Sequence, residues 1–180
     1  MTVALSEILS SRRLSGDTVT FTATEDWMQG RTMFGGFLSA LAVVAMRDTL
    51  GIDMPLRALQ TNFVGPVPAG DVVYRTRLLR QGKSVSQVQC EIYSDEILAG
   101  LVVGVFGAPR ESALPVLTPE HKPLPKKVEE LPALPFIPKI TPNFLQHVEM
   151  RWAIGSIPYM GNPFWESGIY IRATDKNLSP

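Results

Sequence analysis

The most constraining feature of this sequence is a strongly apolar segment that follows a pair of glycines. Between Phe37 and Met46, Ser39 is the only polar residue. The run is long for a strand, and Gly51 supplies a stop signal for a helix. A helix that is apolar all round is buried on every side. The sequence therefore predicts one short helix that other elements enclose.

Five strand-like runs can supply that enclosure. The first, at 18–24, follows a possible short helix at 4–13 and is rich in alternating β-branched residues. Four more follow the apolar helix, joined by short, turn-like links that favour antiparallel neighbours. They lie at about 56–65, 71–81, 84–94 and 97–107. We predict an α+β chain in which an antiparallel sheet wraps around one central apolar helix, the element order of a hot-dog fold.

The composition changes after the last of these strands. Nine of the chain's 15 prolines lie within 109–142, which excludes regular helix or sheet interior there. Two further strand patterns follow, at 144–152 and about 168–173. We expect three parts: an N-terminal hot-dog module at 1–108, a proline-rich linker at 109–143, and the opening strands of an incomplete second hot-dog module at 144–180.

Composition and charge exclude several classes of protein. Lys plus Arg and Asp plus Glu both number 17, so no excess of basic charge points to nucleic acid. Cys90 is the only cysteine, which excludes an internal disulfide and a cysteine-rich zinc site, and its strand pattern predicts a core position. The longest apolar stretch is shorter than the roughly 20 residues of a bilayer span. The first residues lack signal-peptide character, so we predict a cytoplasmic protein.

The sequence offers little for acid–base or metal chemistry. Its two histidines are His121, in the proline-rich linker, and His147, on the polar side of a predicted strand. Neither is placed as the base of a Ser-His-Asp arrangement, and they lack metal-ligand spacing. Gly82-Lys83-Ser84 resembles the end of a phosphate-binding loop, but Arg77 stands where that pattern needs a glycine. We interpret this segment as a hairpin turn and expect no metal and no cofactor.

The segment Phe34-Gly35-Gly36-Phe37 is the strongest candidate for chemistry. The first turn of a helix has unpaired N–H groups and a positive dipole end, and glycine lets a ligand approach the backbone closely. The N–H of Gly36 is therefore a candidate for stabilising a carbonyl oxygen that becomes negative during attack. The alternative is that the paired glycines simply allow the turn from loop to helix.

Several segments, taken in order along the chain, resemble segments of a known family. Met33-Phe34-Gly35-Gly36-Phe37 and its apolar helix resemble the helix start of type II acyl-CoA thioesterases. Residues 60–71 are similar to the next strand and turn of that family, and 79–86 to its next hairpin. Residues 145–175, with Ile171-Arg172-Ala173, are similar to the opening strands of its second module.

The resemblance implies two hot-dog modules packed as an internal pseudo-dimer that hydrolyses acyl-CoA to free acid and CoA. The family's catalytic aspartate, hydroxyl residue and glutamine belong to the second module, at and beyond its central helix. Asp175 precedes that helix and does not match the aspartate. Single-module relatives often place His, Asn or Asp before the glycines, where this chain has Phe34. We therefore expect the complete protein to be a thioesterase of fatty acid metabolism, and this chain to bind acyl groups with little hydrolysis.

The candidate substrate-binding residues form two groups. The residues that could line an acyl tunnel are Phe34, Gly35, Phe37 and Leu41. Phe37 and Leu41 can also be plain core. Arg80 and Lys83 could bind the CoA phosphates, since such anions favour these side chains, or could simply lie at a solvated hairpin tip.

Two other functions stay open. A non-catalytic acyl-binding or assembly module would be stabilised by its ligand without hydrolysing it. A hot-dog dehydratase or hydratase would need a His or Asp near the start of the helix, which this half does not show. Because unpaired strand edges recruit partners, we predict a homo-oligomer formed through the edges of the hot-dog sheet.

Overall fold

The computed structural model describes residues 2–114, 126–156, 161, 163 and 166–178. The chain divides into two compact units, Met1–Glu111 and Ser112–Pro180. The helices of the first unit are α1 (Leu5–Ser10) and α2 (Gly35–Leu50), and Glu25–Trp27 forms a 3-10 turn. Its strands are β1 (Arg13–Ser15), β2 (Thr18–Ala23), β3 (Met28–Gln29), β4 (Thr32–Met33), β5 (Leu56–Phe63), β6 (Gly70–Gln81), β7 (Val85–Ser94) and β8 (Ile97–Gly107).

Six strands of the first unit form one antiparallel sheet in the order β1-β2-β6-β7-β8-β5. The strand that follows the central helix, β5, therefore lies at the sheet edge opposite β1 and pairs with β8. This register joins Leu56 to Phe106 and Phe63 to Gly100. The predicted antiparallel sheet around one apolar helix is confirmed, and the five predicted runs correspond to β2 and to β5–β8.

Helix α2 packs on one face of the sheet, mainly against β2, β6, β7 and β8. Its buried residues are Phe37, Leu38, Leu41, Ala42, Ala45 and Met46. The apolar composition of the helix predicted that it would be enclosed on every side. That prediction is wrong, because one side of the helix stays open. Gly36 and Ala40 are exposed, and Val43 and Val44 are half-buried. The reason is geometric, because the helix lies over the middle of the sheet and contacts β5 less.

Two glycines on the inner face of β8 make room for neighbouring side chains, and Gly104 lets helix α2 approach the sheet closely. A Cβ atom at Gly104 would lie 2.8 Å from Sδ of Met46, and one at Gly100 would lie 3.1 Å from Cδ1 of Ile92. A larger residue at either position would push its neighbour aside. The wholly apolar strand β8 lies inside the sheet, between β7 and β5.

The single cysteine is part of this core, as predicted. Cys90 lies on the inner face of β7 and is buried. Burial, aided by the nearby carboxylate of Glu91, raises the pKa of the Cys90 thiol to about 12. The thiol is therefore protonated and inert at neutral pH.

Helix α2 ends where the sequence predicts. Gly51 is left-handed, with φ of 61°, and its N–H donates to the carbonyl oxygen of Arg47 at 2.9 Å. The guanidinium of Arg47 donates to the carbonyl oxygens of Ile52 and Met54 and lies 5.3 Å from the ring centroid of Phe106. The turn that leads to β5 is thus fixed by backbone geometry and by one arginine. No helix in the described part of the chain has the length and apolar character of a bilayer span.

The second unit contains an antiparallel pair, β9 (Val148–Ile154) and β10 (Gly168–Ala173), and 3-10 turns at Val128–Glu130 and Asn143–His147. The strand predicted from residue 144 is wrong over its first four residues, which lie in the second 3-10 turn. Pro142 is the N-cap residue of that turn, and its carbonyl oxygen accepts a hydrogen bond from the N–H of Leu145 at 3.1 Å.

His147 is therefore not where the strand pattern placed it. His147 ends the 3-10 turn and is buried, instead of lying on the polar side of a strand. Its carbonyl oxygen accepts a hydrogen bond from the N–H of Thr174 at 3.0 Å. His121 lies outside the described residues.

The end of the proline-rich segment is tied to the strand pair of its own unit. The N–H of Leu134 donates to the carbonyl oxygen of Met150 at 2.8 Å. Arg151 donates to the carbonyl oxygens of Val128 and Leu131. These bonds hold residues 128–134 along β9 without adding a regular strand.

Candidate functional site

Backbone hydrogen bonds, a short strand pair and a ring stack hold the loop before α2 in place. The N–H of Phe34 donates to the carbonyl oxygen of Trp27 at 2.9 Å, and the N–H of Met33 donates to that of Val67 at 2.8 Å. Between them the short β3–β4 pair turns the chain back. The Trp27 ring stacks on Phe37 of the first helical turn, with centroids 4.7 Å apart and planes 22° apart. The loop therefore sets the position at which α2 begins.

The same loop also binds the N-terminal segment through two side chains. Oδ2 of Asp26 accepts a hydrogen bond from the N–H of Val3 at 2.8 Å. Nε1 of Trp27 donates to the carbonyl oxygen of Val3 at 2.9 Å. Sequence reasoning missed this clamp. An acidic residue beside a tryptophan was its only signal, and that pair is ordinary in an exposed loop.

The first turn of α2 is joined to the edge strand by a hydroxyl pair. Oγ of Ser39 donates to the carbonyl oxygen of Gly35 at 2.9 Å and lies 3.1 Å from Oγ1 of Thr61 on β5. Ser39, the one polar residue of the apolar run, therefore connects the helix to β5. The helix start has no side-chain cap, so its first N–H groups remain available to an acceptor.

The paired glycines make room for two aromatic rings. A Cβ atom at Gly35 would lie 2.7 Å from Cζ of Phe63, and one at Gly36 would lie 2.5 Å from Cε1 of Phe34. Neither glycine has a positive φ. The turn into the helix therefore does not itself demand glycine through φ. The physical reason for both glycines is the close contact with the rings.

An apolar recess of about 460 Å³ opens beside this helix start. That volume lies within the range of small-molecule sites, about 300–1,000 Å³. Gly35 and Phe63 are at one side of it, and Gln29, Arg31 and Thr32 supply its polar groups. Its apolar walls come from Met33, Leu38, Val64 and Pro66. The lining contains no carboxylate and no imidazole.

The structure places the predicted tunnel residues in two environments. Phe34 and Gly35 are half-buried at the helix start, and Gly36 is exposed. Phe37 and Leu41 are 2% and 0% exposed, in the core beneath the helix. Of the predicted residues, only Gly35 lines the recess. Phe63, which belongs to the resembling segment on β5, completes the lining but was not among the predicted site residues.

Arg80 and Lys83 lie at the other end of the sheet. Both are exposed and line a second recess, of about 340 Å³, at the β6–β7 hairpin. The predicted hairpin turn is confirmed, because the N–H of Gly82 donates to the carbonyl oxygen of Val85 at 2.8 Å. Val85 pairs with Gly107, whereas Phe63 at the helix start pairs with Gly100.

Gly100 and Gly107 are seven residues apart on β8, which corresponds to roughly 23 Å at 3.3 Å per residue. The first unit therefore does not bring the hairpin cations to the helix start. Within the described ranges, no group of three or more His, Cys, Asp or Glu side chains could hold a metal ion.

The central part of the chain matches a known family. Residues 23–107, which contain α2, β5–β8 and the recess, match the family model described as the acyl-CoA thioesterase N-terminal domain. No curated protein sequence matches the chain.

Solved structures share the fold at low sequence identity. A protein of unknown function with a hot-dog fold from Alicyclobacillus acidocaldarius is 18% identical, with a TM-score of 0.69 over 86% of this chain and 57% of that chain. A proposed thioesterase II from Thermobifida fusca is 16% identical, with a TM-score of 0.65 over 78% of this chain and 51% of that one. A proposed thioesterase from Novosphingobium aromaticivorans is 19% identical, with a TM-score of 0.66 over 89% and 63%.

The sheet order, the single central helix and these neighbours define a hot-dog fold, as predicted. Residues 23–107 are similar to that thioesterase domain family, and the solved neighbours share the hot-dog fold. This chain spans between about half and two thirds of the length of the three solved proteins.

Proposed function

We propose that this chain binds acyl-CoA and forms the first module, with the opening strands of a second, of a double hot-dog acyl-CoA thioesterase. The complete enzyme would hydrolyse acyl-CoA to free acid and CoA. The main support is the family match over 23–107. The same span carries an apolar recess at the start of the central helix. An acyl chain suits the apolar walls, and the N–H of Gly36 is the candidate donor to the thioester carbonyl oxygen.

The catalytic groups are proposed to lie in the second module. The recess lining offers Gln29, Arg31 and Thr32 as polar side chains. Oγ1 of Thr32 already accepts a hydrogen bond from the N–H of Val67 at 2.9 Å. The general bases that activate water are most often carboxylates or imidazoles within reach of that water, and this lining has neither. The same observation favours a second candidate function, a non-catalytic acyl-binding module.

The β9–β10 pair of the second unit has one apolar face, which supports the double-module proposal. In the β9–β10 register, Ile169 pairs with Trp152 and Ile171 with Met150, so one face of the pair is apolar. Ile171 is 61% exposed. The inner face of β2 has the same character, with Val19 and Phe21 packed under α2. We infer that residues 144–180 open a second module and that 109–143 link it to the first, at 1–108.

Oligomer formation is proposed through the sheet edge. Within the described sheet β5 pairs with β8 on one side only, and Leu59 and Phe63 on this strand are 38% and 59% exposed. Edge strands with exposed apolar side chains recruit partners. Arg80 and Lys83 remain candidates for the CoA phosphates, with the CoA of a bound ligand reaching the hairpin from a neighbouring module. A cytoplasmic location stays a prediction.

The test combines binding and turnover on this chain. Calorimetry with acyl-CoA measures binding, and a colorimetric assay of the released CoA thiol measures hydrolysis. We expect binding that depends on the acyl group, with turnover far below the roughly 1–10³ s⁻¹ of ordinary enzymes. Turnover in that range would contradict catalytic groups in the second module. No binding would contradict the acyl-CoA assignment. A chain with a complete second module that bound but did not hydrolyse would favour the non-catalytic alternative.

A further inference from the structure

Phe63 is an exposed aromatic side chain that core packing does not explain. It ends β5 at the edge of the sheet and pairs with Gly100, whose missing side chain would point at Ile92 in the core. Its side chain is therefore on the face of the sheet that carries α2. Yet it is 59% exposed, because the helix does not cover this edge. The ring stands instead at the side of the apolar recess.

The ring of Phe63 lies over the first residue of α2. A Cβ atom at Gly35 would be 2.7 Å from Cζ and 3.2 Å from each Cε atom of Phe63. Only glycine at that position allows the ring to lie so close to the helix backbone. The hydroxyl pair of Ser39 and Thr61 joins the same helical turn to the same strand. The strand that carries Phe63 is therefore held to the helix start, while the ring itself faces the recess.

We propose that Phe63 is a specificity-determining residue that closes the recess at Gly35 and limits the length and bulk of the acyl chain that binds there. This inference rests on the proposed acyl-CoA function and goes beyond it by naming the residue that selects the substrate. The ring sits where a longer chain would continue past the recess along α2. Met33, Leu38 and Val64 would contact the part of the chain that fits.

Removal of the ring has a calculable effect on affinity. Each methylene transferred from water to an apolar site contributes about four-fold in affinity. Two additional methylenes accommodated in the space of the ring would contribute about fifteen-fold under the same rule. We therefore expect about fifteen-fold tighter binding of the longest chains to Phe63→Ala than to wild type, with little change for the shortest chains.

The experiment uses thioether analogues of acyl-CoA, which cannot be hydrolysed, in a series from short to long chains. Calorimetry gives the dissociation constant of each for wild type, Phe63→Ala and Phe63→Trp. Wild type is expected to gain affinity with length and then stop gaining. Phe63→Ala should move that limit to longer chains, and Phe63→Trp to shorter ones. Leu14→Ala is the matched control, because Leu14 is 57% exposed at the opposite edge of the sheet; its profile should equal that of wild type.

Gly35→Ala supplies an independent test that leaves Phe63 in the sequence. Its Cβ displaces the ring, so it should move the length limit in the same direction as Phe63→Ala. In the Phe63→Ala background it should move the limit no further. The proposal is overturned if wild type binds the series while Phe63→Ala and Gly35→Ala, folded by circular dichroism, keep the wild-type limit. If wild type binds no analogue, the proposed acyl-CoA function itself fails, and the inference fails with it.

Discussion

The contact between Gly36 and the Phe34 ring yields a prediction that does not depend on function. We expect Gly36→Ala to stabilise the protein when residue 34 is alanine, and to have no benefit or a cost when Phe34 is present. The added Cβ would lie 2.5 Å and 2.6 Å from Cε1 and Cζ of the ring. The ring must therefore move away from the helix start in the single variant.

The magnitude follows from two opposing effects. Replacing a helical glycine with alanine contributes about 0.5–1 kcal/mol of stability. Full burial of a phenylalanine side chain is worth about 1.5–3 kcal/mol. Because Phe34 is half-buried, displacement of its ring costs about 1 kcal/mol on that scale. The two effects nearly cancel in wild type, and only the gain remains when Phe34 is absent. The coupling free energy between the two positions should be about 1 kcal/mol.

Urea unfolding of the four proteins in this double-mutant cycle measures that coupling. The proteins are wild type, Gly36→Ala, Phe34→Ala and the double variant. Gly65→Ala is the control, because its Cβ would make only ordinary contacts, at 3.8 Å or more. It should show no coupling with Phe34. If Gly36→Ala and Phe34→Ala are additive within about 0.4 kcal/mol, the ring contact does not explain the glycine.

Three further predictions concern the rest of the chain. Gly104→Ala should lower the free energy of unfolding by about 1–3 kcal/mol, because its Cβ meets Met46, and Met46→Ala should relieve much of that loss in chemical denaturation. Hydrogen bonds from Arg151 and from a second arginine hold the pKa of Glu149 below its ordinary value of 4.5. The contribution of Glu149 to stability is therefore present above pH 4.5 and is lost as the pH falls below that value. Hydrogen exchange in the second unit should show this loss of stability at low pH. The Glu149→Gln variant should not show it. Cys90 should react with thiol reagents only after denaturation, and rapid labelling of the folded protein would contradict its buried, protonated state.

Sequence patterns predicted the elements of the first unit well because local signals fix them. The strand-like run at 84–94 predicted β7, and Gly51 predicted the end of α2. The same reasoning failed at residues 144–147, where alternation was read as a strand. Those residues lie in a 3-10 turn that follows Pro142, and a period-two pattern over four residues cannot tell a strand from such a turn.

The candidate site was predicted only in part, because its contacts join distant parts of the chain. The sequence singled out the paired glycines but offered two explanations for them. The structure adds a third, since Phe63 reaches Gly35 from a strand that is far away along the chain. It also separates Arg80 from the helix start by the length of β8. No spacing in the sequence encodes either distance.

The sequence by itself determined the hot-dog class of this chain, through one apolar helix followed by a series of antiparallel strands. Each element is specified by the residues within it, so the order of elements can be read along the chain. Only the tertiary structure decided which side of α2 stays open and which ring lies over Gly35. Those outcomes depend on where β5 joins the sheet, and strand neighbours at an edge are chosen by packing over the whole fold.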